Sequence, residues 1–147
     1  MSLMRSVLHL LFMTITVVPW ATFLVLVSIF VRGNPVYWIG AGWLRASVVG
    51  AHYIMGIRTH VTGMENLPIG ETSPAILLVK HQSTFETLLM PAIMPHPLAY
   101  VFKKELLYIP FFGWSMARMD MIHIDRTQGP KAFTKVVSQG KALLAGR

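Results

Sequence analysis

The residues best suited to chemistry lie in one short run, Lys80-His81-Gln82-Ser83-Thr84-Phe85-Glu86. An imidazole whose N–H is held by a carboxylate has its tautomer fixed and its basicity raised, which prepares it to take a proton from a hydroxyl. On one helix a five-residue offset turns about 500°, leaving the side chains roughly 140° apart. His81 and Glu86 therefore meet only if His81 lies in a loop and Glu86 in the first helical turn. The same residues also read as plain structure: Ser83-x-x-Glu86 is a capping box, with Ser83 as N-cap and Glu86 reaching back to its N–H. As a metal site the pair is poor, because no third or fourth ligand stands nearby.

The elements around this run must place it. Ala75–Val79, a short apolar run after Pro74, predicts a buried strand. The spacing predicts a helix over Phe85–Met94, a strand over Leu98–Phe102, a short helix over Trp114–Met119, a strand over Met121–Ile124 and a helix over Lys131–Ala145. Thr59–Thr62 is β-branched at alternate positions, and Gly63, Asn66, Pro68 and Gly70 mark turns. Alternating strands and helices predict an α/β domain over residues 58–147.

Residues 1–57 differ in kind. Ser6–Val31 carries no formal charge between Arg5 and Arg32, and about twenty apolar residues suffice to cross a hydrocarbon layer of roughly 30 Å. A signal peptide would have a shorter apolar core and a small-residue cleavage site, so the segment reads as a retained anchor, either one kinked span or two shorter helices divided at Pro19. Tyr37–Ile57 is a second apolar stretch with Arg45 near its centre. A charge at that depth is costly, which favours a helix lying at the membrane interface against its neighbour. Gly40, Gly42, Ala46, Gly50 and Ala51 would allow close contact there. Residues 1–57 are expected to form a membrane-associated helical region.

Composition agrees. Of 147 residues 54% are hydrophobic and 13% charged, and the formal net charge is +7, against about 25% charged in an ordinary soluble domain. A basic, very apolar chain favours an anionic membrane surface or phosphate-bearing substrates, and no Lys/Arg-rich run points to nucleic acid. The absence of cysteine excludes disulfides, Cys-ligated zinc and a cysteine acyl-enzyme.

Three ordered motifs then carry a resemblance. Lys80-His81-Gln82-Ser83-Thr84-Phe85-Glu86-Thr87, Phe102-Lys103-Lys104-Glu105-Leu106 with Ile109-Pro110-Phe111-Phe112-Gly113-Trp114, and Ile124-Asp125-Arg126 resemble the glycerolipid acyltransferase family, in particular its bacterial lysophosphatidic acid acyltransferases. Val61–Pro68 is similar to the family's entry to its domain. The resemblance implies acyl transfer from acyl-CoA or acyl-carrier protein, as co-substrate and without a further cofactor, to the sn-2 hydroxyl of 1-acyl-glycerol-3-phosphate in phospholipid biosynthesis. It implies that His81 is the general base and Glu86 its orienting acid, and that Lys103 and Arg126, with Lys104 beside them, meet the acceptor phosphate. The implied setting is the bacterial inner membrane, with the catalytic part on the cytoplasmic face. Arg32, Arg45 and Arg58, set against Arg5, lean the same way.

Two departures stand out. The family's acid is usually Asp, and here it is Glu86. The family's third motif, Glu-Gly-Thr-Arg, and its fourth are absent from residues 1–147. The sequence thus reads as an incomplete α/β acyltransferase domain, and the rival expectation is an inactive remnant that only binds membrane or lipid. Gly113-Trp114-Ser115-Met116-Ala117 nearly matches a serine-hydrolase elbow, but Pro110 precedes it and no distant triad partners follow. His123-x-Asp125 lacks partners for a metal role and reads as a structural pair or a solvated face.

Overall fold

The computed structural model describes residues 2–67 and 75–145. Helix α1, Ser2–Val27, passes Pro19 as one continuous helix, which decides between the two arrangements left open at that proline. Thr14, Thr16 and Thr22 return their hydroxyls to the carbonyls four residues back, at 2.9, 2.7 and 2.7 Å, and thus present no unpaired donor on an apolar helix. A turn ends at Gly33, whose φ of 75° suits glycine, and Pro35 opens helix α2, Asn34–Gly50. One π-helical turn, Ala51–Met55, extends it to Gly56, which closes it in the left-handed conformation.

Helices α1 and α2 form an antiparallel hairpin joined by three polar rungs. His9 Nε2 meets the Ser47 carbonyl at 2.9 Å, Trp43 Nε1 donates to Thr16 Oγ1 at 3.1 Å, and Trp20 Nε1 donates to the Ile39 carbonyl at 2.7 Å. As the α1 number rises the α2 number falls, which fixes the direction. The glycines of α2 permit the approach: a Cβ at Gly50 would lie 2.8 Å from the Phe12 ring, and one at Gly42 would lie 3.1 Å from the Trp20 ring. The buried seam holds Leu24, Val36, Ala41, Trp43 and Ala51. The outer face of α1 stays bare, with Leu3, Leu10, Ile15, Phe23 and Leu26 all exposed.

Helix α3, Thr84–Ile93, packs on α2. Arg45 of α2 reaches Ala92 near its end, and Val48, Val49 and Phe85 line one cleft near its start, so α3 also runs antiparallel to α2. The first turn of α3 therefore lies at the end of the hairpin where α1 begins and α2 finishes. Arg5 comes to Gly56 at that end: a Cβ at Gly56 would lie 3.6 Å from its guanidinium. Arg5 and Arg58 thus lie toward the same end of the hairpin.

The second half is α/β only in miniature. Strand β1, Val101–Lys103, pairs in parallel with β2, Ile122–Ile124, in the register Val101↔Ile122, Phe102↔His123 and Lys103↔Ile124. Between them come a 3₁₀ turn, Lys104–Tyr108, and helix α4, Phe112–Met116. Helix α5, Pro130–Ala145, lies against β2, and Gln139 clasps both the N–H and the carbonyl of His123. The strand expected over Ala75–Val79 is not formed: the run has no strand assignment and is exposed, Leu78 at 95%. Thr59–Thr62 is likewise not a strand. A parallel strand is held by ladder bonds to its neighbours, and among the described residues only β1 and β2 supply such a ladder. The turn expected at Pro68 and Gly70 lies outside the described residues. The architecture is mostly helical with one small parallel sheet.

Candidate active site

Local rules place the pair. Ser83 is the N-cap of α3 in extended conformation, and its Oγ accepts from the Phe85 N–H at 3.2 Å. Glu86 Oε2 accepts from the Ser83 N–H at 2.7 Å and from the Ser83 hydroxyl at 2.9 Å, which completes the capping box. The same oxygen lies 3.3 Å from Nδ1 of His81, in the loop before the helix. The two sequence readings are thus simultaneous: the oxygen that caps the helix also holds the imidazole.

Burial alone would raise the Glu86 pKa, but hydrogen bonds from the Ser83 N–H, the Ser83 hydroxyl, its own N–H and His81 outweigh that and lower it from 4.5 to about 2. An ionised carboxylate only accepts, so Nδ1 must be the donor. That leaves Nε2 with its lone pair, on an exposed imidazole, free to accept a proton from a hydroxyl. Phe85, the chain neighbour of Glu86, borders an open cleft of about 480 Å³ shared with Val48, Val49, Ile57, His52 and Arg58.

The expected phosphate-binding residues come together by a different route. Parallel pairing in the Lys103↔Ile124 register brings Lys103-Lys104 and Asp125-Arg126 out at the same carboxyl end of the two strands, where ligands of α/β sheets commonly bind. Lys104 Nζ donates to Asp125 Oδ2 at 3.2 Å. Asp125 also accepts from the Thr127 N–H and hydroxyl and from Gln128. Its carboxyl is held at about 2, chiefly by the Thr127 hydroxyl and then by Lys104, against the opposing effect of burial. Lys104 is raised in turn by that hydrogen bond. Lys103 and Arg126 are exposed, and among the described residues neither has a carboxylate partner. No hydrogen bond or ion pair among the described residues links them to His81 or Glu86.

The loop between the strands is tightly built. Phe111 has φ 61° and ψ −60°, and the Phe112 N–H donates to the Pro110 carbonyl at 2.7 Å, a γ-turn of the strained kind. Gly113 follows with no room for a side chain, since a Cβ would collide with the Leu107 carbonyl. Ser115 is buried and donates to the Phe111 carbonyl at 3.0 Å, which leaves it unsuited as a nucleophile.

Comparison with known proteins agrees with these motifs. Residues 58–146 match the family described as Acyltransferase. The chain belongs to that acyltransferase family. It is 35% identical to the 1-acyl-sn-glycerol-3-phosphate acyltransferase of Pseudomonas aeruginosa over 95% of its own length and 53% of the relative's. It is 34% identical to the 1-acyl-sn-glycerol-3-phosphate acyltransferase of Saccharomyces cerevisiae over 54% of this chain and 25% of that one. With the 1-acyl-sn-glycerol-3-phosphate acyltransferase alpha of Mus musculus it shares 30% over 85% and 44%. The chain thus spans about half the length, or less, of these curated relatives. No solved structure matches.

Reading the sequence missed the parts of this acyltransferase domain that depend on tertiary contacts. Asp125 carried one usable signal, since Asp-x-Thr is a turn-capping pattern. Arg45 carried none beyond its unfavourable setting. Its Nε donates to the Ala92 carbonyl at 3.0 Å.

Proposed function

We propose that this chain provides the base-bearing part of a lysophosphatidic acid acyltransferase, moving an acyl chain from an acyl-CoA or acyl-carrier-protein thioester to the sn-2 hydroxyl of 1-acylglycerol-3-phosphate. The observation that carries the reading is the contact between His81 Nδ1 and Glu86 Oε2, inside a match to the acyltransferase family.

His81 Nε2 takes the hydroxyl proton as the oxygen attacks the thioester carbonyl. A carbon–oxygen bond forms, the carbon–sulfur bond breaks, and the proton leaves with the thiolate. No covalent acyl-enzyme is needed, in keeping with a chain that has no cysteine. Lys103 and Arg126 hold the acceptor phosphate, with Lys104 turned aside to Asp125; a fixed phosphate keeps the hydroxyl near base and thioester. The cleft beside Phe85 offers apolar walls for a lipid tail.

Membrane association is supported by α1. Its window Leu3–Val27 has a mean hydropathy of 2.3 and is only 11% buried, and its 26 residues extend about 39 Å, longer than a hydrocarbon layer. We place the protein on the cytoplasmic face of the bacterial inner membrane with the bare apolar face of α1 toward the lipid, since Met119 packs against Gly40 and so holds the acyltransferase part along the hairpin.

The test is acyl transfer from labelled acyl-CoA and acyl-carrier protein to lysophosphatidic acid, in membranes holding the chain or its His81→Ala form. Turnover that disappears with His81 is expected. No turnover from folded, membrane-bound unmutated chain would overturn the reading.

A further inference from the structure

Arg45 stands near the middle of an apolar stretch, where a charge is costly, and it is used. Its Nε donates to the Ala92 carbonyl at 3.0 Å, and its guanidinium carbon lies 5.2 Å from the centroid of the Trp38 ring. Trp38 and Arg45 are two turns apart on one face of α2, so the ring can steady the cation on the way to its acceptor. Ala92 belongs to the last turn of α3, where carbonyls lack partners within the helix and the helix end is partly negative. The helix stops at Ile93 and Met94 turns to an extended conformation, so no following helical turn reaches the Ala92 carbonyl. Arg45 supplies from α2 a donor that α3 lacks.

The other end of α3 carries the His81–Glu86 pair on its capping box. With ten residues, α3 is about 15 Å long. A rod that short, tied to α2 at its carboxyl end, fixes where its first turn stands against the hairpin.

We propose that Arg45 is a positioning residue: by tying the end of α3 to α2, it sets the depth of the His81–Glu86 pair relative to the membrane-facing hairpin. Its consequence for turnover rests on the acyltransfer reading above, whereas its geometric content does not. A lipid-resident acceptor offers its hydroxyl at one height, and the base must stand at that height. A short-chain acceptor dissolved in water reaches the base at any height.

The absence of cysteine makes the test direct. Gln82→Cys, beside His81, gives a single site for a fluorophore in the full chain, reconstituted in vesicles of equal parts phosphatidylethanolamine and phosphatidylglycerol. Nitroxide lipids labelled at the headgroup or at mid-chain then report its depth. Arg45→Met is expected to change the ratio of shallow to deep quenching by about twofold or more, while Arg45→Lys, which keeps a cation at the helix end, preserves it. In turnover, Arg45→Met should lose about tenfold or more on long-chain lysophosphatidic acid and keep the rate on a short-chain one within about twofold.

An unchanged quenching ratio in folded Arg45→Met overturns the proposal whatever the turnover does. So do equal losses on both acceptors. A shifted ratio in a chain that is inactive even with Arg45 in place keeps the positioning role and sinks the acyltransfer reading. If Arg45→Met does not fold, Trp38→Leu decides: a quenching ratio changed from that of the unmutated chain supports the tie, and an unchanged one overturns it.

Discussion

The two candidate subsites are assembled on different length scales. His81 and Glu86 are five residues apart, and a helix cap brings them together. Lys103 and Arg126 are brought to one end of a sheet by strand pairing across more than twenty residues. Each subsite has one depressed carboxylate, yet the two work differently. Glu86 shares its charge between its own helix cap and the histidine, whereas Asp125 shares its charge between its own turn and Lys104. Both carboxyls are held near 2, so what separates them is the neighbour, an imidazole beside Glu86 and an ammonium beside Asp125.

That contrast can be broken experimentally. His81→Ala should lower kcat by about a thousandfold with little change in KM for the acceptor, the size expected for a lost general base. Glu86→Gln, which can still cap α3, should fall short of that loss. In the other subsite, Lys103→Ala and Arg126→Ala should each raise KM for lysophosphatidic acid by about tenfold and leave kcat largely intact. An acceptor without the phosphate should be indifferent to both. If instead these variants lower kcat as His81→Ala does, the two subsites are not separable and the comparison fails.

Acid sharpens it further. Glu86 and Asp125 have pKa values below their ordinary 4.5 and 3.8, near 2 in each case, so the folded state binds fewer protons than the unfolded one in that window. Their stabilising contribution is complete above about pH 5 and is lost as the pH falls toward 2. Circular dichroism across this range should show a shallower acid transition in Glu86→Gln and in Asp125→Asn than in the unmutated chain. The smallest effect belongs to Ser83→Ala, expected to cost about 1 kcal/mol for a lost cap in thermal unfolding. Because Ser83 also holds Glu86 Oε2, the variant should lower kcat as well. A stability loss without any change in rate would mean that the cap and the dyad are independent.

The same division explains what could be read in the sequence. The capping box, the meeting of His81 with Glu86, the helix opened by Pro130 and the two strands expected over Leu98–Phe102 and Met121–Ile124, which form as Val101–Lys103 and Ile122–Ile124, follow from spacing within a dozen residues. Ala75–Val79 has strand composition but no ladder partner among the described residues, and composition does not reveal who pairs with whom. The Lys104–Asp125 ion pair needs the register, and the bond from Arg45 to Ala92 needs the packing of α3 on α2. Counting charges along the chain likewise does not reveal that the hairpin folds Arg5 and Arg58 onto one end.

The three rungs between α1 and α2 bear on how such a protein can be handled. The rung Trp20–Ile39 is exposed, so water competes for it where hydrocarbon offers its donor and acceptor no alternative, whereas His9–Ser47 is buried within the protein. Extraction from lipid therefore removes a force that keeps the hairpin shut. Because α3 packs on α2, the loss passes to the helix whose cap holds His81. The lipid content of a preparation becomes a variable of any activity assay, to be controlled as strictly as pH or salt.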